Sequence, residues 1–141
     1  TDDGTTWQYA SIGLKGLGAG GDAFAMVGTK VFVSTGYGIS VSVDGGQTWT
    51  PTTNGLPSSG LYVSAFAVRS PNAVFAGADD GIYRTLDSGA TWTKTSAGLT
   101  DSSVRALIST ATHVFAGTEN GVFRSSNDGV SPKNIDSRMA S

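Results

Sequence analysis

The chain has 141 residues, one domain's worth, with 38% apolar and 14% charged residues, no cysteine and a formal net charge of -2. That balance offers no basic footprint for nucleic acid or an anionic membrane, and without thiols there are no disulfides, thiolate metal sites or thiol nucleophiles. No apolar run approaches the roughly 18–20 residues of a spanning helix, and 20 glycines among many Ser and Thr suit short strands joined by tight turns.

The chain opens inside a motif, Asp2/Gly4/Trp7, and so reads as a mature, processed or cut piece of a longer product. A strand is expected over residues 6–11, ending before Gly13-Leu14. The next unit, about 22–54, offers strands at Phe24–Val27 and Val31–Ser34. A turn at Gly36-Tyr37-Gly38 then leads into the clean alternation Ile39-Ser40-Val41-Ser42-Val43. The motif returns there as Asp44/Gly46/Trp49, and Gly55-Leu56 follows six residues after the tryptophan. A second unit, about 63–97, repeats the order with Phe66–Arg69, Val74–Gly77, the turn Asp79-Asp80-Gly81, Ile82–Leu86, Asp87/Gly89/Trp92 and Gly98-Leu99. The third, about 104–126, has Ala106–Ser109, Val114–Gly117, the turn Glu119-Asn120-Gly121 and Val122–Ser126. It ends in a worn copy, Asn127/Gly129, where Pro132 replaces the tryptophan.

No helical period occurs, and Asp-Gly and Asn-Gly tolerate the positive φ of tight hairpins. A period near 42 residues with four strands per unit predicts an all-β propeller of four-stranded antiparallel blades. Residues 1–133 form one three-bladed segment, and residues 134–141 an irregular tail. Proline is a poor ladder residue, so the strand around Trp7 is the better outer strand for blade three. Three blades are too few to close, since propellers have about 4–8. The chain is therefore expected either to assemble with itself, a two-fold pair giving six blades, or to be part of a larger ring.

Ser42-Val43-Asp44-Gly45-Gly46-Gln47-Thr48-Trp49 and Thr85-Leu86-Asp87-Ser88-Gly89-Ala90-Thr91-Trp92 resemble the Asp-box, Ser-x-Asp-x-Gly-x-Thr-Trp. This box marks sialidase-like propellers, xyloglucanases, sortilin-type receptor domains and the photosystem II assembly-factor family. The resemblance implies that Asp2, Gly4, Trp7, Asp44, Gly46, Thr48, Trp49, Asp87, Gly89, Thr91 and Trp92 are structural turn residues, and it selects no one function.

Repeat logic places Asp22, Ser64 and Arg105 at matching positions near the mouth of the first strands, where a propeller's channel opens. Asp101 lies on a loop at the same end, and Tyr62 beside Ser64 offers a ring on which a sugar can stack. Tyr9 and Tyr37 also fall outside the core pattern. A glycosidase needs two carboxyl groups about 5–5.5 or 6.5–9.5 Å apart, for which Asp22 and Asp101 are the candidates. Against this, Asp22 reads equally as a turn cap and Asp101 as a solvated loop residue. The sialidase pattern of an arginine triad and a Tyr–Glu pair is not met, because Arg84 and Arg124 fall near the outer edge. His113, the single histidine, has Lys30 and Ala73 at its repeat positions and reads as a surface residue. Asp79-Asp80 and Asn127-Asp128 have no metal-loop spacing, so no metal and no cofactor are expected.

The expectation is a non-catalytic binding or scaffolding module outside the cytoplasm, extracellular or periplasmic. It would recognise a glycan or protein partner through channel-mouth loops and form a homo-oligomer. The alternatives are a piece of a glycoside hydrolase propeller, or a trimmed or designed self-assembling fragment with no activity of its own.

Overall fold

The computed structural model describes residues 3–14 and 23–128. Asp2, Asp22, the glycine and proline of the worn motif (Gly129 and Pro132) and the tail 134–141 lie outside the described residues. Blade one comprises β1 (Phe24–Val27), β2 (Lys30–Thr35), β3 (Gly38–Ser42) and β4 (Thr50–Pro51). Blade two comprises β5 (Val63–Val68), β6 (Val74–Ala78), β7 (Gly81–Thr85) and β8 (Thr93–Lys94). Blade three has β9 (Val104–Ser109), β10 (Val114–Thr118) and β11 (Gly121–Ser125). Each blade is an antiparallel meander with its strands in sequence order, and the first strands of successive blades pack side by side around the centre. This is an all-β propeller arc of three blades that does not close on itself. No helix among the described residues is long and apolar enough to cross a membrane.

Two strand assignments differ from the sequence expectation. The first strands of blades two and three begin at Val63 and Val104, earlier than Phe66 and Ala106, because each opens with a bulge opposite the end of the second strand. The fourth strands pair over only two residues each. Their tryptophans are drawn off the ladder: the Trp92 N–H donates to the Asn54 carbonyl of blade one at 2.9 Å.

The core consists of two inter-blade layers. Val27, Phe32 and Ile39 of blade one meet Val63, Val74, Ala76 and Tyr83 of blade two, with Trp92 between them. Phe75 and Ile82 of blade two meet Val104, Val114, Ala116 and Phe123 of blade three. Stability in such an arc comes from neighbour-to-neighbour interfaces rather than from one central core.

Among the described residues, the segment 3–14 forms no strand and pairs with none, so the strand expected over 6–11 is not formed within this arc. It lies against blade one, where the Trp49 N–H and indole Nε1 donate to the carbonyls of Ile12 and Ala10, both at 2.9 Å. Gly55 shows why Gly-Leu recurs six residues after each tryptophan. Its φ is +85°, and a Cβ there would strike the Trp92 carbonyl oxygen. Gly13 stands in the same relation to Trp49.

Candidate binding face

The strand directions divide each blade into two ends. At one end the third strand leaves through the aspartate turn, and there the carboxylate organises the backbone. Asp87 Oδ1 accepts from the Thr91 N–H at 2.8 Å and from the Thr85 hydroxyl at 2.7 Å, while Oδ2 accepts from the Thr91 hydroxyl at 2.6 Å. Asp44 is held in the same way by Thr48 and Ser42. The threonine hydroxyl, the threonine N–H and then the Ser42 hydroxyl hold Asp44 down at about 2, and the equivalent bonds hold Asp87 at about 2. In the worn copy the neutral amide oxygen of Asn127 takes the hydroxyl proton of Ser125, at 3.1 Å. These side chains are consumed in making turns.

The other end carries the loops that enter the first strands and the hairpins at 36–37, 79–80 and 119–120. Ser64 and Arg105 both fall at the bulged positions, skipped by the ladder between Val63/Ala65 and Val104/Ala106. A bulge re-aims its side chain, and the two are aimed differently. The Ser64 hydroxyl donates to the carbonyl of Val104 and, at 3.3 Å, to that of Gly77, so it ties blade two to blade three. The Arg105 guanidinium pairs with the Glu119 carboxylate, and both groups remain more than half exposed. That bond to Glu119 raises the arginine's pKa further.

Asp101 is the clasp of this end. Its carboxylate accepts from the Ser103 N–H at 3.0 Å, the Asn120 N–H at 3.0 Å and Asn120 Nδ2 at 3.1 Å. These bonds, the Ser103 N–H foremost, hold its pKa below the ordinary carboxylate range. Tyr62, close enough to Arg105 to act on its charge, accepts the Asp79 N–H at its carbonyl and leaves its ring half exposed. Tyr37 stands exposed on the hairpin of blade one. The structure thus brings Tyr62, Arg105 and Asp101 to one end, turns the Ser64 hydroxyl between blades, and leaves Asp22 outside the described residues.

Sequence reasoning missed two partners. Glu119 does lie in the hairpin turn between β10 and β11, and from there its carboxylate meets Arg105 because β9 and β10 pair beside it. Asp80 accepts from the Tyr83 hydroxyl at 2.8 Å and from Lys94 Nζ at 2.9 Å, with Lys94 5.7 Å from the Tyr83 ring centre. Burial first, and then Asp80, push the Tyr83 phenol up. The signal for this trio was the cross-strand pair Tyr83 and Lys94, which only the register reveals. His113 lies at the opposite end, with Nδ1 2.8 Å from the Thr112 hydroxyl. Among the described residues no three His, Cys, Asp or Glu converge as a metal site would require.

Among solved structures, the arc is similar to an ancestral GH74 enzyme (20% identity, TM-score 0.61), of which it spans 17% while 77% of this chain is covered. It is similar to YCF48 bound to a D1 peptide (19%, TM-score 0.64; 76% of this chain, 38% of that one). It is also similar to PorZ, a surface component of the type-IX secretion system of Porphyromonas gingivalis (19%, TM-score 0.55; 75% and 14%). Likeness at this identity shows the fold alone, and the chain spans well under half of each of these proteins. No curated protein sequence matches it. Residues 1–140 match the family model of the DUF6242 beta propeller domain, and the chain belongs to that family.

Proposed function

We propose that this propeller segment is a non-catalytic binding or scaffolding module that receives a glycan or protein partner on its loop end. The observation that carries the reading is that the same end presents the exposed Arg105–Glu119 pair and the half-exposed Tyr62, beside a loop held by Asp101. A tyrosine face and an arginine together suit a sugar ring or an acidic side chain. The YCF48 structure, which holds a peptide, shows a propeller with such an arc in a binding role. PorZ, a surface component, supports placing the module outside the cytoplasm.

The competing reading is a fragment of a hydrolase, drawn from the GH74 neighbour. On that reading Asp101 is an acid or base. Its three local bonds hold it ionised and oriented toward its own loop, which favours the clasp. A panel of immobilised glycans and acidic peptides decides between them. Tyr62→Ala and Arg105→Ala should each abolish capture while leaving the melting curve unchanged. Measurable cleavage of xyloglucan by the wild type, lost in Asp101→Asn, would overturn the proposal.

A further inference from the structure

Trp92 is 3% exposed and lies in a socket at the junction of blades one and two. Phe32 meets it edge-on at 6.2 Å between ring centres, and its core layer includes Ile39, Val74, Ala76 and Tyr83. Its indole N–H donates to the Thr52 hydroxyl at 3.1 Å, and that hydroxyl donates in turn to the Gly89 carbonyl. One repeat further on there is an open apolar cleft at the junction of blades two and three. Its walls are Phe75, Ile82 and Thr95 from blade two, with Val114, Ala116 and Phe123 from blade three. These six occupy the repeat positions of Phe32, Ile39, Thr52, Val74, Ala76 and Tyr83. The polar detail is similar but shifted by one residue: the Thr95 hydroxyl donates to the Asp128 carbonyl at 3.1 Å, one position before the counterpart of Gly89, and this leaves its oxygen able to accept an indole N–H. The cleft is a tryptophan socket, and the chain carries proline at the place in the motif where its own tryptophan would be.

A matching indole is presented at the other end of the arc. Residues 3–7 already have the aspartate-turn conformation, with Asp3 at φ +50° and Gly4 at +83°, as Ser88 and Gly89 have +57° and +90°. A Cβ added at Gly4 would lie 3.8 Å from the Trp7 ring, as one added at Gly46 would lie 3.7 Å from the Trp49 ring. Yet Trp7 is 90% exposed. Among the described residues, no blade covers the apolar faces at the two ends of the arc. Ala67 and Ile82 are buried against blade three, whereas Ile108 and Val122 at the same positions of blade three are 64% and 62% exposed. Phe24 and Met26 on the free side of blade one are exposed as well. The outer edge of β11 has no partner strand among the described residues.

We infer that the socket between blades two and three takes the Trp7 indole of a second copy of this chain, with residues 6–11 of that copy completing blade three as its outer strand. One placement fills the socket, pairs the edge of β11 and covers Ile108 and Val122 with the free side of the partner's blade one. Because residues 10–12 already hold Trp49, the same placement stacks the partner's blade one in sequence after blade three. Two copies give six blades within the usual 4–8, and two identical junctions close the ring by a two-fold axis.

The test is light scattering of the full chain across a concentration series, read together with acrylamide quenching of tryptophan fluorescence. The expected result is a particle of two chains whose quenchable fraction falls, as association hides the one exposed indole of three. Trp7→Ala should weaken the pair about thirtyfold or more, the scale of losing a central aromatic anchor. Ala97→Arg, at an exposed position on the socket rim, should do the same while leaving the fold of the single chain intact. Mixing the two variants should restore one junction and yield a mixed pair, because each supplies what the other lacks. A single-chain mass at every concentration would overturn the inference, as would an undiminished pair in either variant.

Discussion

The two blade junctions are built from matching positions, yet one holds an indole and the other is open. Between blades one and two, Trp92 fills the gap, its backbone N–H crosses to Asn54, and its ring N–H reaches Thr52. Between blades two and three the surrounding residues persist, while the motif that should supply the ring ends in Asn127 and Pro132. The difference teaches where a blade's stability originates. The fourth strand contributes only two ladder pairs to its own sheet, so its main energetic role is to send one large side chain and two hydrogen bonds into the neighbouring blade. In a repeat protein such a term belongs to the interface, and losing it at one junction leaves the other junction whole.

The largest expected effect breaks the filled junction. Trp92→Ala removes a fully buried aromatic ring and should cost about 3–5 kcal/mol in equilibrium urea unfolding. It would make the first junction resemble the second. If the variant loses under about 1 kcal/mol, the indole is not what joins the blades. Next in size is Gly55→Ala, which should cost at least about 1–3 kcal/mol through its positive φ alone. The added methyl also meets the Trp92 carbonyl, a backbone atom that cannot swing aside. A melting temperature equal to wild type would show that the Gly-Leu spacing has some other cause.

A smaller effect tests the tie that the second junction does possess. Ser64→Ala deletes the hydroxyl that bridges to the Val104 carbonyl and should cost about 0.5–1.5 kcal/mol. Hydrogen exchange should then quicken in β9 more than in β1, since β9 receives the bond. Uniform quickening would mean that Ser64 serves blade two alone.

Much of this architecture was legible in the residues. The Asp, Gly and Trp spacings fixed the period, and the Val-Phe pairs at Val31, Val74 and Val114 marked the second strands. The turn chemistry of Asp79-Asp80-Gly81 and Glu119-Asn120-Gly121 placed the hairpins. That the fourth strands pair over only two residues each was not legible, because alternation cannot show that a tryptophan N–H is donated to the preceding segment, Trp92 to Asn54 and Trp49 to Ile12, instead of its own ladder. The candidate site was legible only in part. Repeat position equated Ser64 with Arg105, and both do sit on bulges, but a hydroxyl that reaches a carbonyl turns inward while a guanidinium turns to a carboxylate. The roles of Glu119 and Asp80 depend on register across a hairpin, a relation that no local spacing expresses.

The smallest effect concerns the aspartate turns, and its sign follows from their carboxylates. Asp44 and Asp87 have their pKa lowered from an ordinary 3.8 to about 2 in the folded chain, so the folded state favours the ionised form. Their contribution is complete above the ordinary value and is lost as the pH falls through about 2. Wild-type stability should therefore decline over that interval, with each carboxylate supplying part of the slope. Because both side chains lie at the surface, water and salt screen the effect and keep it modest. Asp87→Asn should be less stable than wild type at neutral pH and should approach it near about pH 2, since its amide oxygen can keep the Oδ1 bonds without a charge to lose, while its NH2 cannot accept from the Thr91 hydroxyl. The worn turn already carries this change as Asn127, and its Asp128 still has the left-handed φ of +59°. The left-handed φ at that position therefore persists beside an uncharged Asn127, and the variant should differ from wild type in its pH dependence rather than in its fold. Parallel acid-limb curves for the two proteins would show that the threonine bonds, not ionisation, hold the turn.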